Sequence, residues 1–196
     1  MSLKRSFDFF LSLFGLLVFS WLILIVWLIA SFGTKSNGFF TQKRVGKDGK
    51  LFTLIKIKTM KPLDGIKTTV TTKNDVRITP FGEFLRKWKF DELPSLWNVL
   101  KGDMSLVGPR PDVPGYADKL EGFDRRILEL RPGITGPATL KYANEEQLLA
   151  SIDDPEKYND EVIFPDKVKM NLDYLDNWNL WLDIKIIFKT IFRSNY

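Results

Sequence analysis

The N-terminal part of the chain contains 26 consecutive residues without a formal charge, from Phe9 to Thr34. At about 1.5 Å per residue, a helix of this length extends roughly 39 Å, more than the roughly 30 Å that the hydrocarbon core of a bilayer requires. A cleaved secretory signal has a shorter apolar region that ends at small residues, whereas large side chains continue here as far as Phe32. The stretch therefore predicts a membrane helix.

Basic residues flank this stretch on both sides, with Lys4 and Arg5 before it. A larger group follows it and consists of Lys35, Lys43, Arg44, Lys47 and Lys50. Because Lys and Arg in short flanking segments favour the cytoplasmic side of a membrane, we expect the downstream part of the chain to be cytoplasmic. The N-terminus then lies either across the membrane or on the same side, and the second arrangement needs a break in the helix. The local candidates for such a break are Ser12, Gly15 and Ser20.

The composition excludes several kinds of catalytic site. The chain has no Cys and no His, which removes thiol nucleophiles, imidazole bases, Ser-His-Asp triads and zinc sites built from these ligands. Residues 1–90 hold 16 Lys and Arg against 5 Asp and Glu, and residues 91–196 hold 13 against 19. A basic segment beside a membrane helix favours an anionic membrane surface as its partner, and no zinc-finger, RNA-recognition or P-loop pattern occurs. We therefore expect no nucleic-acid partner.

Local patterns predict a β-hairpin after the membrane helix. Residues that favour strands fill 39–60 on both sides of the Asp48-Gly49 turn signal. The Thr-rich residues 61–78 have little periodicity and are expected to form a loop.

The rest of the chain has the patterns of helices. Thr79 followed by Pro80 marks a helix start, and helical spacing predicts a longer helix over 116–130. Between them a second helix is expected from Pro94, with Leu96, Trp97 and Leu100 facing inward. The segment 178–192 predicts an amphipathic helix that either packs in the core or lies in the membrane interface.

These patterns together predict an α+β fold that is mainly helical with a small β-hairpin. We expect two domains, a membrane anchor over residues 1–38 and a catalytic domain over residues 39–196. Amphipathic surface helices would hold the catalytic domain at the level of the lipid headgroups.

The acids that point most directly to chemistry are Asp91 and Glu92. They stand immediately before the helix expected at Pro94, where free backbone N–H groups and the helix dipole favour an ionised carboxylate. An ionised Asp at such a position acts either as a nucleophile or as the cap of the helix. From the residues alone, both roles stay open.

Cations accompany this acid pair, and two of them occur in Gly/Pro-rich turns that hold a guanidinium in place. They are Lys56, Lys58, Arg86, Arg110 and Arg131. Arg forms bidentate contacts with phosphate, and Mg²⁺ is commonly bound by one or two carboxylates together with substrate phosphates. Each cation alone is typical of a solvated surface, but the set predicts a phosphate-bearing substrate and a Mg²⁺ site at Asp91 and Glu92.

The run DELPSLWNVLKGDMSLVGPRP, with KIKTM upstream and RPGITG downstream, closely resembles the bacterial sugar transferase family, the monotopic phosphoglycosyl transferases of glycoconjugate assembly. The similarity extends over nearly the whole chain, from the basic-flanked apolar helix through FTQKRVG to LDIKII near the C-terminus. A match over 21 consecutive positions is highly specific, so it favours catalysis by Asp91 over capping alone. We expect a small member of the family, without the additional domains of larger members.

The resemblance implies an enzyme that transfers a phosphosugar from a UDP-sugar to polyprenol phosphate, with undecaprenyl phosphate as the expected acceptor. The products are polyprenyl-diphosphate-sugar and UMP. This would be the initiating membrane step of O-antigen, capsule, exopolysaccharide or glycoprotein-glycan assembly. The resemblance also implies a re-entrant membrane helix with both ends facing the cytoplasm, and hence a location on the cytoplasmic face of the bacterial inner membrane.

The resemblance further implies roles for individual residues. Asp91 would attack the sugar-linked phosphorus and form a covalent phosphosugar-Asp intermediate, and Glu92 together with Asp91 would hold Mg²⁺. Lys56, Arg86 and Arg110 match cationic positions of the family and would bind the substrate phosphates.

Three differences from the family pattern concern the membrane helix and the sugar. The Ser-Pro pair of many relatives is Ser20-Trp21 here, which removes the proline from the expected break. A position that is often arginine is Ala143, with Lys141 as the nearest cation to bind substrate, and an often acidic position is Asn171. We therefore predict no particular sugar.

Two alternatives share these sequence features: a catalytically silent membrane scaffold for glycan enzymes, and a Mg²⁺-dependent lipid-diphosphate hydrolase. The intact pair of acids and the GPRP turn argue against the scaffold. The product distinguishes all three, because a transferase releases UMP, the hydrolase releases inorganic phosphate and a scaffold releases neither.

Overall fold

The computed structural model describes residues 2–61 and 75–192 of the chain. Within these ranges the α-helices are α1 (Ser2–Thr34), α2 (Pro80–Trp88), α3 (Ser95–Lys101), α4 (Pro137–Lys141), α5 (Glu145–Leu149), α6 (Pro155–Tyr158), α7 (Phe164–Asp176) and α8 (Leu180–Ile191). The strands are β1 (Phe39–Val45), β2 (Leu51–Ile57), β3 (Ser105–Val107) and β4 (Gly133–Thr135). The predicted mainly helical α+β fold with a small hairpin is confirmed. Most of the loop predicted over 61–78 lies outside the described residues.

The described residues form two compact units. The first consists of 2–44, 51–61 and 76–106, and the second of 45–50, 75 and 107–192. This division follows packing, whereas the predicted division at residue 38 follows membrane attachment and stays a prediction.

The predicted hairpin is confirmed, with β1 paired to β2. Asp48 and Gly49 in its turn have φ angles of 57° and 74°. Positive φ at both central residues is what a two-residue hairpin turn requires, and Asp-Gly adopts it readily. The Asp48-Gly49 signal in the sequence therefore corresponds to two positive φ angles in the turn.

Helix α3 covers the edge of β2 in the first unit. The Asn98 amide accepts a hydrogen bond from the Ile55 N–H at 3.1 Å and donates one to the Thr53 carbonyl at 2.8 Å. The Ser95 hydroxyl donates to the Ile55 carbonyl at 2.9 Å. Side chains of α3 thus take the place of a third strand, since an open strand edge leaves unpaired backbone groups.

This packing contradicts the face predicted for α3. Its buried residues are Ser95, Asn98 and Val99, whereas Trp97 is 53% exposed. The prediction was wrong for Trp97, because it assigned the buried face from apolar side chains alone, whereas Leu96 and Leu100 are half-buried. Two polar residues are buried here because the strand edge supplies their hydrogen-bond partners.

The long helix α1 contacts the first unit at both of its ends. Near its start, Arg5 donates to the carbonyls of Val99 and Leu100, both at 2.6 Å, and Asp8 accepts from the Leu106 N–H at 3.0 Å. Near its end, Val26 and Ala30 belong to a buried apolar cluster with Ile57 and Leu85. By length and composition α1 is apolar enough to cross a membrane. Its exposed apolar residues include Leu3, Phe10, Phe14, Leu17, Trp21, Leu24, Leu28 and Phe32.

In the second unit, the long helix predicted over 116–130 is wrong. Two 3₁₀ segments, Ala117–Lys119 and Asp124–Glu129, occupy this range instead. Gly122 between them has a φ of 55°, which a continuous right-handed helix excludes. The apolar spacing nevertheless reflected burial, because Ala117, Ile127 and Leu128 pack with Val168 and Leu172 of α7.

Candidate active site

The two acids lie on a short 3₁₀ segment, Phe90–Glu92, between α2 and α3. Lys89 ends α2 in the left-handed conformation, with a φ of 59°, and turns the chain into this segment. Asp91 is 7% exposed and Glu92 is 8% exposed. Acidic side chains are almost never this deeply buried unless they are paired or functional.

Asp91 has one oxygen without a partner. Among the described residues, no donor forms a hydrogen bond with its buried Oδ1 atom. The residue at the cap position of α3 is Pro94, and no side chain caps that helix. The capping alternative for Asp91 is therefore wrong, and its buried oxygen is available to a ligand.

The protonation of Asp91 also differs from the expectation. Burial raises the pKa of the Asp91 carboxyl above its usual value, and the charge of Glu92 raises it further. The charges of Lys56, Lys89 and Arg86 act in the opposite direction. The sequence showed only effects that favour the ionised form, whereas desolvation by burial is the largest effect on this carboxyl and acts against that form.

Glu92 forms a buried ion pair with Lys56. The Lys56 Nζ atom lies 2.7 Å from Oε1 of Glu92, with the two side chains 18% and 10% exposed. Lys56 belongs to β2, next to Ile55, whose N–H and carbonyl are both held by α3. The hydrogen bonds of α3 to the strand edge therefore also fix the position of this cation.

Two further cations act on Asp91, and only one of them was a candidate from the sequence. Arg86, near the end of α2, donates to Oγ1 of Thr59 at 3.5 Å, and its charge lowers the pKa of Asp91. Lys89 acts in the same direction but was not identified. Its closeness to Asp91 in the sequence was the available signal, whereas its left-handed conformation was not predictable from residue type.

Asp91 and the three cations that act on it define what the first unit offers to chemistry. Among the described residues no donor reaches the buried Oδ1 of Asp91, and the charges of Lys56, Lys89 and Arg86 act on this carboxyl. Such a group is a suitable nucleophile toward an anionic phosphorus centre, because the cations offset the repulsion between the two anions.

The residues also fit a divalent cation. Asp91 and Glu92 are adjacent and buried, and after burial itself the charge of Glu92 is the next cause that raises the pKa of Asp91. Two carboxylates with substrate phosphates are a common way to bind Mg²⁺. No cluster of three or more acidic ligands occurs in the described part of the chain, so the remaining ligands would have to come from the substrate and water.

Of the other predicted cations, Lys58 lies in the first unit, where its Nζ atom donates to the Ser36 hydroxyl at 2.9 Å, and Arg110, Arg131 and Lys141 lie in the second unit. The loops that carry Arg110 and Arg131 are bonded to each other through the backbone: the Gly108 N–H donates to the Thr135 carbonyl at 2.9 Å, and the Gly133 N–H to the Pro109 carbonyl at 2.7 Å. A Cβ atom on Gly108 would lie 2.3 Å from the Arg131 carbonyl oxygen, so only glycine fits there. The structure thus brings these two arginine-bearing loops together.

Lys141 is engaged by a carboxylate in the same unit. Its Nζ atom lies 2.7 Å from Oδ2 of Asp166, which also accepts from the Tyr142 hydroxyl at 2.7 Å. The hydrogen bond from Lys141, followed by that from Tyr142, lowers the pKa of the Asp166 carboxyl. Burial, followed by the hydrogen bond to Asp166, raises the pKa of the Tyr142 hydroxyl. Nearby in sequence on α7, the buried Oδ1 of Asn171 has no partner among the described residues.

Comparison with known proteins shows the family to which this chain belongs. The model of the family described as "Bacterial sugar transferase" matches residues 1–195. This chain belongs to the bacterial sugar transferase family.

Three relatives show how this chain compares with whole family members. A UDP-glucose:undecaprenyl-phosphate glucose-1-phosphate transferase of Escherichia coli (strain K12) is 35% identical over 198 residues, which cover 98% of this chain and 40% of the relative. The uncharacterized sugar transferase EpsL of Bacillus subtilis (strain 168) is 37% identical over 191 residues, covering 97% and 86%. The exopolysaccharide production protein ExoY of Rhizobium meliloti (strain 1021) is 32% identical over 207 residues, covering 96% and 83%. The chain thus spans two fifths of the E. coli relative but most of the other two.

Proposed function

We propose that this chain transfers a sugar phosphate from a UDP-sugar to undecaprenyl phosphate, as the initiating step of polysaccharide or other glycoconjugate assembly. The observation that carries the proposal is the buried Oδ1 of Asp91, which has no donor among the described residues, on a carboxyl whose pKa the charges of Lys56, Lys89 and Arg86 lower against the effect of burial. Family membership and the names of relatives that act on UDP-glucose and undecaprenyl phosphate support it. The sugar that this chain transfers is left open.

The proposed reaction has two displacements at one phosphorus atom. In the first, a carboxylate oxygen of Asp91 bonds to the sugar-linked phosphorus of the donor, the bond to the bridging oxygen breaks, and UMP leaves with the electron pair. In the second, a phosphate oxygen of the acceptor bonds to the same phosphorus, and Asp91 leaves as a carboxylate. The products are polyprenyl-diphosphate-sugar and free enzyme, so covalent catalysis divides one difficult transfer into two steps.

The cations of the first unit have a direct part in this scheme. Lys56, Arg86 and Lys89 favour the ionised form of Asp91 against the effect of burial. They would also stabilise the charge that develops on phosphoryl oxygens. We propose Arg110, Arg131 and Lys141 as further substrate-binding residues, with the two arginines suited to bidentate phosphate contacts.

Mg²⁺ is the cofactor that we propose for this site, held by Glu92 and Asp91. When bound, it would neutralise charge on the diphosphate of the donor and on the leaving phosphate. Glu92 forms an ion pair with Lys56 in the structure, so the negative charge next to the nucleophile is offset by a positive one.

We further propose that α1 enters the membrane from the cytoplasmic face and does not cross it. From Arg5 to Ala30 a helix extends roughly 38 Å, and residues at both ends contact the first unit. A helix that crossed the bilayer would place one of these ends on the far side, away from a cytoplasmic domain. The helix is continuous over Ser2–Thr34, without the break expected at Ser12, Gly15 or Ser20, and the Ser20 hydroxyl donates to the Leu17 carbonyl at 3.2 Å within it. This placement therefore rests on the contacts at the two ends of α1 and not on a break.

Product analysis tests the proposed reaction. Membranes that contain the chain are supplied with undecaprenyl phosphate and a series of UDP-sugars beginning with UDP-glucose, and the released nucleotide and phosphate are measured. We expect UMP with at least one donor. Inorganic phosphate in its place would indicate the hydrolase, and neither product would indicate the scaffold.

A covalent intermediate is the second expected result. When the chain meets its UDP-sugar without a lipid acceptor, the mass of the protein should increase by one phosphosugar, and peptide mapping should locate it on Asp91. Initial rates should follow a ping-pong law because UMP leaves before the acceptor reacts. A ternary-complex rate law with no adduct after rapid quenching would contradict this mechanism.

The topology of α1 has a test that the Cys-free sequence makes simple. Single Cys residues are placed by Ser2→Cys and Ser36→Cys and treated in intact cells with a membrane-impermeant thiol reagent. We expect neither to be labelled until the cells are permeabilised, when both should react. Labelling of Ser2→Cys alone in intact cells would show that the helix spans the membrane.

A further inference from the structure

An exposed group of aromatic side chains lies directly before the acid pair. Helix α2 buries Leu85 completely, while Phe84 and Trp88 are 48% and 50% exposed. The ring of Phe84 lies 6.2 Å from that of Phe81, 6.5 Å from that of Trp88 and 6.3 Å from that of Phe90. We call these four residues the aromatic cluster. A contiguous exposed apolar surface of this kind is typical of a binding site.

The aromatic cluster is continuous with the packing of the membrane helix. Phe81 and Phe90 pack against the buried cluster to which α1 contributes Val26 and Ala30. The aromatic cluster and the C-terminal part of α1 therefore belong to the same apolar packing.

The aromatic cluster is also joined to the reacting group. Phe90 immediately precedes Asp91 on the same 3₁₀ segment. Arg86 and Lys89 lie close enough to Asp91 for their charges to lower its pKa. An apolar surface beside positive charge is complementary to a molecule with a hydrocarbon chain and an anionic phosphate, which are the two parts of the acceptor lipid.

We infer that the aromatic cluster binds the isoprene units next to the phosphate of the acceptor lipid, an inference that rests on the proposed function. Binding there places the lipid phosphate at the segment that carries Asp91. A bulk phospholipid tail would fill the same surface, but a bulk phospholipid does not have to bring its phosphate to Asp91. The acceptor does, so the site is assigned to the acceptor.

The experiment compares Trp88→Ala with Trp97→Ala in vesicles of phosphatidylethanolamine and phosphatidylglycerol. Trp97 is a matched control because it is 53% exposed in the same unit and lies outside the aromatic cluster. For Trp88→Ala we expect the KM for undecaprenyl phosphate to rise about tenfold, which corresponds to about 1.4 kcal/mol. The UMP burst with the UDP-sugar that the wild type uses should change by less than about twofold. Trp88→Phe, which keeps an aromatic ring, should restore the KM.

Several outcomes would overturn the inference. Equal KM changes in Trp88→Ala and Trp97→Ala, or an unchanged KM with weaker vesicle binding of Trp88→Ala, would assign the aromatic cluster to general membrane contact. A KM that stays high in Trp88→Phe would reduce Trp88 to a structural role. If the wild type releases no UMP with any UDP-sugar, the proposed function fails, and the inference fails with it. If the wild type turns over and any of the earlier outcomes is observed, the inference fails while the proposed function stands.

Discussion

Asp91→Asn is expected to abolish turnover and to stabilise the folded chain. An amide cannot attack phosphorus as an anion, so the rate should fall by roughly 10⁴-fold or more, as it does when a nucleophile is removed. The stability should rise because the variant replaces a buried carboxylate, whose Oδ1 has no donor among the described residues and whose neighbour Glu92 repels it, with a neutral group of similar shape. Each kcal/mol gained raises the Tm of a chain of this size by about 2–4 °C.

The gain in stability should depend on pH in a defined direction. Because the pKa of Asp91 is raised in the folded state, the folded chain binds more protons than the unfolded chain between the usual pKa of Asp91 and the raised one. The contribution of Asp91 to stability is therefore fully present below its usual pKa and is lost as the pH rises through the raised value. The Tm difference between Asp91→Asn and wild type should be largest above the raised pKa and should shrink as the pH falls toward the usual pKa of Asp91.

Thermal unfolding between pH 5 and pH 8 measures this difference. Asp153→Asn is the control, because Asp153 is exposed and should show neither the loss of activity nor the pH-dependent gain. Substantial UMP release by Asp91→Asn would remove Asp91 from the chemistry. A Tm difference that grows as the pH falls would contradict the direction of the pKa shift.

The parts of the fold that the sequence predicted are those fixed by residues close together in the chain. The Asp48-Gly49 turn and the start of α2 at Pro80 follow from backbone preferences of a few neighbouring residues. Thr79 caps α2 as expected, since its hydroxyl accepts the Gly82 N–H at 2.9 Å. Such signals survive folding because they depend little on distant partners.

The parts that it missed depend on distant partners or on unusual backbone conformations. Asn98 is buried because an edge strand 43 residues earlier meets its amide, and Asp8 is buried because it accepts the N–H of Leu106. Apolar periodicity does not register either contact, because polar residues make them. Gly122 interrupts the helix predicted around it because its φ is positive, and this backbone conformation is a property of the folded chain that apolar spacing does not show.

The residues of the candidate site also fall into those that the sequence predicted and those that it missed. The sequence and the family resemblance together identified Asp91, Glu92, Lys56 and Arg86, which the structure brings together in the first unit. Lys89 was missed because its role depends on the left-handed turn that ends α2. The direction of the pKa shift of Asp91 was also missed, because burial is a property of packing and the sequence showed only the neighbouring charges.

Removing one partner of the buried ion pair between Lys56 and Glu92 should be strongly destabilising, and Lys56→Met tests it. Removing the ammonium leaves Glu92 buried without its partner at 2.7 Å. Breaking a buried pair in this way costs about 3–5 kcal/mol, which corresponds to a fall in Tm of roughly 6–20 °C for a chain of this size. Activity should fall as well, because the charge of Lys56 favours the ionised form of Asp91.

A second substitution separates the charge pair from a general packing defect. In the double variant Lys56→Met/Glu92→Gln neither member of the pair remains as a buried charge, so most of the lost stability should return while activity stays low. Lys101→Met is the matched control, because Lys101 pairs with Asp103 at 3.1 Å but is 63% exposed. A surface pair of this kind contributes about 0–1 kcal/mol. If Lys56→Met and Lys101→Met unfold at the same temperature, or if the double variant is no more stable than Lys56→Met, the buried pair does not have the structural role assigned to it here.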